Sequence, residues 1–184
     1  MMISPETLRE LLDYNPETGD LIWRERPLEM FKTERDWNAW NARNAGKKAF
    51  TATISRGYKH GTIFKNGVYA HRAAWVIHHG RWPVHNIDHI NGDPSDNRID
   101  NLRDVNQHEN MRNASIPKHN KSGVIGVHWS KASNKWTAQI TSGGRRIHLG
   151  VFDSKEDAIS ARKDAEVKCG YSPNHGREPV SVID

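Results

Sequence analysis

Residues 87–112 read IDHINGDPSDNRIDNLRDVNQHENMR, and no other stretch restricts the fold as much. The part from 91 to 97 (NGDPSDN) consists of residues that satisfy their own backbone in turns, so it can be ordered without a core but cannot continue a helix or strand. Short apolar-containing runs bracket it. Residues 84–89 are expected as one strand, 91–100 as an ordered excursion, 102–105 as a second strand and 107–112 as the start of a helix. Asp88 and His89 end the first strand. His89 can accept a proton from water near neutral pH, and Asp88 with the side-chain amide of Asn110 can offer hard oxygens to a divalent cation. Together these groups suit hydrolysis of a phosphodiester. Neighbouring residues of a strand point to opposite faces, so Asp88 and His89 share one site only if the strand is irregular at its end.

The rest of the chain fits a polyanionic substrate. Its 184 residues carry 27 Lys+Arg against 22 Asp+Glu, a formal net charge of +5, and the distribution says more than the total. No acid lies between Asp36 and Asp88, a run that holds Arg43, Lys47, Lys48, Arg56, Lys59, Lys65, Arg72 and Arg81. A second acid-free run covers 114–152, and Asp88, Asp93, Asp96, Asp100, Asp104 and Glu109 crowd between the two. Two positive segments around an acidic, cation-attracting one suit a nucleic-acid backbone plus a metal; two solvated basic faces around an acidic loop are the plainer alternative.

Hydrophobic content of 35% allows only small cores, with the seven Trp carrying much of the burial. Cys169 is the single cysteine, which excludes an internal disulfide framework and a multi-cysteine zinc site and fits a reducing compartment. No apolar run nears the roughly 18 residues that span a bilayer, and the N-terminus lacks a signal-peptide layout. A soluble, cytoplasmic protein with no membrane partner is therefore expected. Five histidines (71, 78, 79, 85 and 89) lie close together, but His78 and His79 would diverge on a helix and no cysteine is near, so zinc is not expected.

Before the central stretch, Ser4 and Pro5 open a helix with Leu8, Leu11 and Leu12 on its apolar face, 15–19 form a turn, and 20–24 a strand. A short amphipathic helix is expected over 33–43, with Trp37 and Trp40 as packing residues. The Asn66-Gly67 step marks a hairpin within 57–70, and 71–79 read as a helix closed by Gly80.

In its Asp88-His89 pair, Asn101-Leu102 and Asn110, the central stretch resembles the HNH nuclease motif, a strand-loop-strand-helix unit around one metal ion, most like the homing endonucleases of phages and introns. The resemblance implies that His89 is the general base, that Asn101 supports the catalytic loop, and that Asp88 and Asn110 hold Mg2+, with Mn2+ able to replace it. It also implies phosphodiester hydrolysis leaving 5′-phosphate and 3′-hydroxyl ends, as a nick from a monomer or paired cuts from a homodimer on double-stranded DNA, in the host cytoplasm if phage-encoded. Asn110 stands where the strict motif has His, a change that homing members tolerate. His71-Arg72 resembles the pair that opens the family's motif, with Arg72 a phosphate contact and His71 a support of the active-site fold.

A second unit follows a polar linker at 114–121. Residues 125–130, 135–141 and 145–152 read as three strands, and Ser154 caps a helix running to about Lys168. The order SG..GV.W, W.A.I, R.I.LG.F and an alanine-rich helix resembles the APETALA-type, or ethylene-response-factor-like, DNA-binding domain. Carried over by position, that resemblance makes Trp129, Lys131, Lys135, Trp136, Arg145 and Arg146 DNA contacts, with Gln139 and Thr141 as further ones. Trp136 and Ile140 are alternatively core, and alternation alone does not fix which face is open. The expected fold class is α+β: a ββα-metal nuclease module (57–113) behind a helix and hairpin region (1–56), then a small three-stranded antiparallel sheet on one helix (122–170) and an extended tail (171–184). The expected function is a site-specific, metal-dependent DNA endonuclease. A DNA-binding regulator with a silent nuclease unit is the alternative, and an RNA-directed nuclease fits less well because no RNA-specific module is visible.

Overall fold

The computed structural model describes residues 3–178 and has an α+β architecture built from several small antiparallel sheets. It divides into two compact units between Val105 and Asn106.

In the first unit, helix α1 (Pro5–Leu11) has Ser4 as N-cap, its side chain accepting from the Thr7 amide, and Pro5 in its first turn. Both features satisfy or remove N–H groups that a helix start leaves unpaired. The helix is shorter than the leucine spacing suggests. Leu12 opens β1 (Leu12–Tyr14), which pairs with β2 (Leu21–Trp23) around the expected turn. After a 3-10 turn at Leu28–Met30, α2 (Glu34–Asn44) starts from Thr33, whose side chain accepts from the Asp36 amide. Strands β3 (Ala52–Thr53), β4 (Lys59–Ile63) and β5 (Asn66–Tyr69) form a three-stranded sheet. The hairpin is where Asn66-Gly67 predicts one, but its turn sits two residues earlier. Ile63 pairs with Asn66, so Phe64 (φ 48°) and Lys65 (φ 68°) take the left-handed positions. Gly67 answers to packing instead, since a Cβ there would lie 2.7 Å from His60 Nε2.

Helix α3 (Ala70–His79), closed by Gly80 at φ 72°, is the centre of this unit. Ala70, Ala73 and Val76 join Leu8, Leu11, Leu12, Phe50 and Ile63 in the larger core. Ala74 and Trp75 face a smaller core with Ile87 and Leu102, which belong to β6 (Asn86–His89) and β7 (Leu102–Val105). The fully covered Leu8, Leu11, Leu12, Ile63 and Val76 contribute about 1.5–3 kcal/mol each by burial. Small alanines let α3 approach both cores, and thereby hold the β6–β7 hairpin.

The second unit opens with α4 (Gln107–Met111), started by a reciprocal capping box between Asn106 and Glu109. Strands β8 (Val127–Ser130), β9 (Lys135–Ser142) and β10 (Arg145–Phe152) form a sheet ordered β10-β9-β8. Helix α5 (Lys155–Lys168), capped by Ser154, closes a core of Val127, Ala138 and Ala158. The expected linker and tail are not loose connections. Ile116 N–H bonds the Arg177 carbonyl, Gly176 N–H bonds that of Ala114, and Ser172 N–H bonds that of Arg112. The polar segment after α4 is thus tied to the segment after α5, and the chain divides ahead of α4 rather than at 114–121. Residues 179–184 of the expected tail lie outside the described residues.

Candidate active site

The β6–β7 hairpin pairs Asp88 with Arg103 and His89 with Leu102 in unbroken antiparallel register. Directly opposed residues share a face and successive ones alternate, so the Asp88 and His89 side chains leave opposite faces. The irregular strand end that would turn both to one face does not occur.

His89 is 4% exposed and sits among rings. Its ring centroid lies 5.2 Å from His71, edge to face, and 5.9 Å from Tyr58, while Tyr69 stacks on His71 at 5.3 Å. Its Nε2 is 3.3 Å from Asn97 Oδ1. Burial lowers the His89 pKa, the Asn97 bond and the charges of Asp88, Asp93 and Asp96 oppose that shift, and the ring is a neutral base at physiological pH. His71 is pushed down to about 3, first by burial and then by repulsion from the neighbouring His89, were it protonated as well, and from the Arg72 charge.

Asp88 is also buried, and Arg103 binds one of its oxygens twice, Nε at 2.8 Å and Nη2 at 2.6 Å from Oδ2. Arg103 then borders an open trough of about 620 Å3, lined also by Trp75, His79, Arg81 and His85. Asn101 braces the loop. Its amide donates to the Asp96 carbonyl at 2.8 Å, its Oδ1 accepts the Asn91 N–H at 2.9 Å, and its own carbonyl accepts the Ile90 N–H. Asp96 in turn holds Arg98 and Asn91. Asn110 lies half-buried on α4, its backbone within the helix and its carbonyl bonded by Asn113 N–H. Arg72 lays its guanidinium 5.6 Å from the Trp82 ring.

The loop is also held from the N-terminal region. The Ile99 amide donates to the Pro16 carbonyl at 3.0 Å, and the Tyr14 hydroxyl donates to the Asn97 carbonyl at 2.7 Å. Gly19 lies so close that an added Cβ would be 2.6 Å from Arg98 N. Residues 1–56 therefore carry part of the site's support, which their sequence does not reveal. Asn97, Tyr58 and Tyr69 were likewise not expected in the site. Asn97 belongs to the turn-rich block, so its residue type was legible but the direction of its side chain was not.

The Asp88 carboxylate is the kind of hard oxygen donor that a divalent cation takes, and no group of three or more His, Cys, Asp or Glu among the described residues could form an all-protein cage. A hard divalent cation with few protein ligands completes its shell with waters and phosphate oxygens.

Residues 68–112 match the HNH endonuclease family. The chain is also 38% identical over 87 residues to "Protein 3.8" of Escherichia phage T7, covering 47% of this chain and 72% of the phage protein. It belongs to the HNH endonuclease family. No solved structure matches. In this HNH chain the strand-loop-strand part of the matched region closes the first unit, and its helix, α4, opens the second. No helix among the described residues is long and apolar enough to cross a membrane.

In the second unit the registers settle which face α5 covers. Val127, Trp129, Trp136, Ala138 and Ile140 share the helix-covered face, since Val127 pairs with Ala138 and Trp129 with Trp136. Arg145, opposite Ser142, falls on that face as well. Lys135, Gln139, Thr141, Arg146 and His148 take the open face, and Lys131 lies in the turn after β8. Trp136 packs against the core, 5.4 Å from the half-exposed Trp129. Lys135 also pairs with Asp153 at 2.9 Å.

Proposed function

We propose that this HNH protein is a divalent-metal-dependent DNA endonuclease of homing type, in which His89 is the general base. The observation that carries the reading is a buried, neutral imidazole at the end of β6, next in the chain to a buried carboxylate. Water gives a proton to His89 as its oxygen attacks phosphorus in line, and the bond to the 3′ oxygen breaks, leaving a 5′-phosphate and a 3′-hydroxyl. Asp88 and, by the motif, Asn110 would hold Mg2+, or Mn2+ in its place, which when bound neutralises charge developing on the phosphate and the leaving oxygen. Asn101 keeps the loop in shape through its bonds to Asn91 and Asp96. The trough beside Arg103, with Arg81 and three histidines, suits the flanking phosphates, and Arg72 is a further phosphate contact.

The second unit contributes DNA recognition. Lys135 and Arg146, with Gln139 and Thr141, present donors on the open sheet face, inside a segment free of acids, and Lys131 extends the charge. Trp129, Trp136 and Arg145 reach DNA only from the sheet's rim, because α5 covers their face. One copy would nick and a homodimer would make paired cuts.

A second reading, a DNA-binding regulator with a silent nuclease unit, is favoured by the double Arg103 bond on Asp88. Incubation with supercoiled plasmid and magnesium separates the two. Open circles or linear product are expected, with His89→Ala lowering the rate about 10²–10⁴-fold at unchanged DNA affinity and chelator stopping the reaction. An intact plasmid at full DNA occupancy selects the regulator.

A further inference from the structure

We infer that Asn97 is the residue that positions His89, by holding the proton on Nε2 so that Nδ1 takes the proton from water. The inference rests on the reading of His89 as general base.

Of a neutral imidazole's two nitrogens one carries hydrogen and the other a lone pair, and the partner of the first decides which is which. Asn97 Oδ1 lies 3.3 Å from His89 Nε2, and both side chains are at least nine-tenths buried. A carboxamide oxygen only accepts, so this contact is a bond when Nε2 carries the hydrogen and a lone-pair clash when it does not. Nδ1 then holds the ring's lone pair. As the water oxygen bonds to phosphorus its proton moves to Nδ1, the bond to O3′ breaks with its electron pair on oxygen, and O3′ takes a proton from solvent.

Asn97 is itself fixed at its backbone. Its carbonyl accepts the Tyr14 hydroxyl, its neighbour Asp96 is bonded by Asn101 and Arg98, and the Gly19 turn packs against the 97–98 peptide. That backbone and the burial of the residue keep the side chain beside the His89 ring. His71 and Tyr58 bound the ring on other sides and limit its rotation. The wrong tautomer in a well-formed site is costly to proton abstraction, because geometry survives while the acceptor is lost.

Two substitutions and one spectroscopic signature test this. Asn97→Leu keeps the size and removes the acceptor; Asn97→Asp keeps the acceptor. Plasmid cleavage by Asn97→Leu should fall about 10- to 100-fold in kcat, with KM and DNA affinity unchanged, and Asn97→Asp should restore the rate. Nitrogen-15 NMR of the intact protein should show His89 protonated at Nε2 in the wild type and in Asn97→Asp, and a mixed tautomer in Asn97→Leu. A wild-type cleavage rate in Asn97→Leu, no recovery in Asn97→Asp, or an Nδ1–H tautomer in the wild type each overturns the inference. If Asn97→Leu does not fold, the wild-type tautomer and the Asn97→Asp rate decide it. If wild-type protein cleaves nothing, the nuclease reading falls, and the tautomer spectra still judge the role of Asn97.

Discussion

At the scale of single residues, burial of imidazole sets behaviour in both units. His71 is lowered to about 3, and His175, placed against Arg162 and Glu166, is lowered to about 4, chiefly by burial. For each, the unfolded chain titrates near 6.5, so the unfolded state binds more protons once pH falls below that value. Stability is fully present above about 6.5 and is lost progressively as pH falls toward the folded values. Melting temperature followed from pH 7.5 to 4 should therefore drop, and His175→Gln should flatten the part of the slope between about 6.5 and 4. An unchanged slope would contradict a neutral buried His175. Sequence identified His89 and Asp88 as chemical groups because their residue types and adjacency carry the signal. It could not show that Arg103 would bind Asp88, since that follows from strand register.

At the scale of elements, the loop of the candidate site packs on a turn about eighty residues earlier in the chain. Gly19 has φ 76° and no room for a Cβ against the 97–98 backbone. Gly19→Ala meets both the left-handed penalty and that contact, and should cost about 1–3 kcal/mol, read as a lower unfolding midpoint in denaturant. Because the displaced backbone belongs to Asn97, cleavage should fall by more than the lost stability accounts for. Equal melting and activity to wild type would show the turn and loop to be independent. Most element ends were legible: β7, β10 and α5 have the bounds their patterns give, because turn residues and caps act locally. The β4–β5 turn falls two residues before the Asn-Gly step, and Gly67 lies instead in the strand beneath His60, a contact between strands that the local Asn-Gly signal does not contain. Strand β1 was missed since Leu12 continues the helical leucine spacing, and only its pairing with Trp23 takes it out of α1.

At the scale of the whole molecule, the point where the chain divides changes what a truncation tests. The segment after α4 is bonded by Ser172, Gly176 and Arg177, including Arg177 Nη1 to Asn113 Oδ1 at 3.2 Å. A chain ending at residue 121 removes those partners, so cleavage and DNA binding should both be lost, and retained cleavage would show α4 to be self-sufficient. Point changes on the open sheet face separate the roles. Arg146→Ala should reduce the salt dependence of DNA binding by about one charge without altering the rate at saturation. Trp136→Ala, on the covered face, should instead destabilise the second unit by about 2 kcal/mol, visible as a lower melting temperature.

The sequence by itself determined the α+β class, the residue types of the candidate site and the loop that carries them, because motif spacing, turn chemistry and charge distribution are local properties of the chain. Only the tertiary structure decided that Asn97 faces His89, that Arg103 occupies Asp88, that the N-terminal turn supports the loop, and that the tryptophans of the second sheet lie under its helix. Each of those depends on strand register or on contact between residues far apart in sequence, where a shift of one position reverses the face on which every side chain stands.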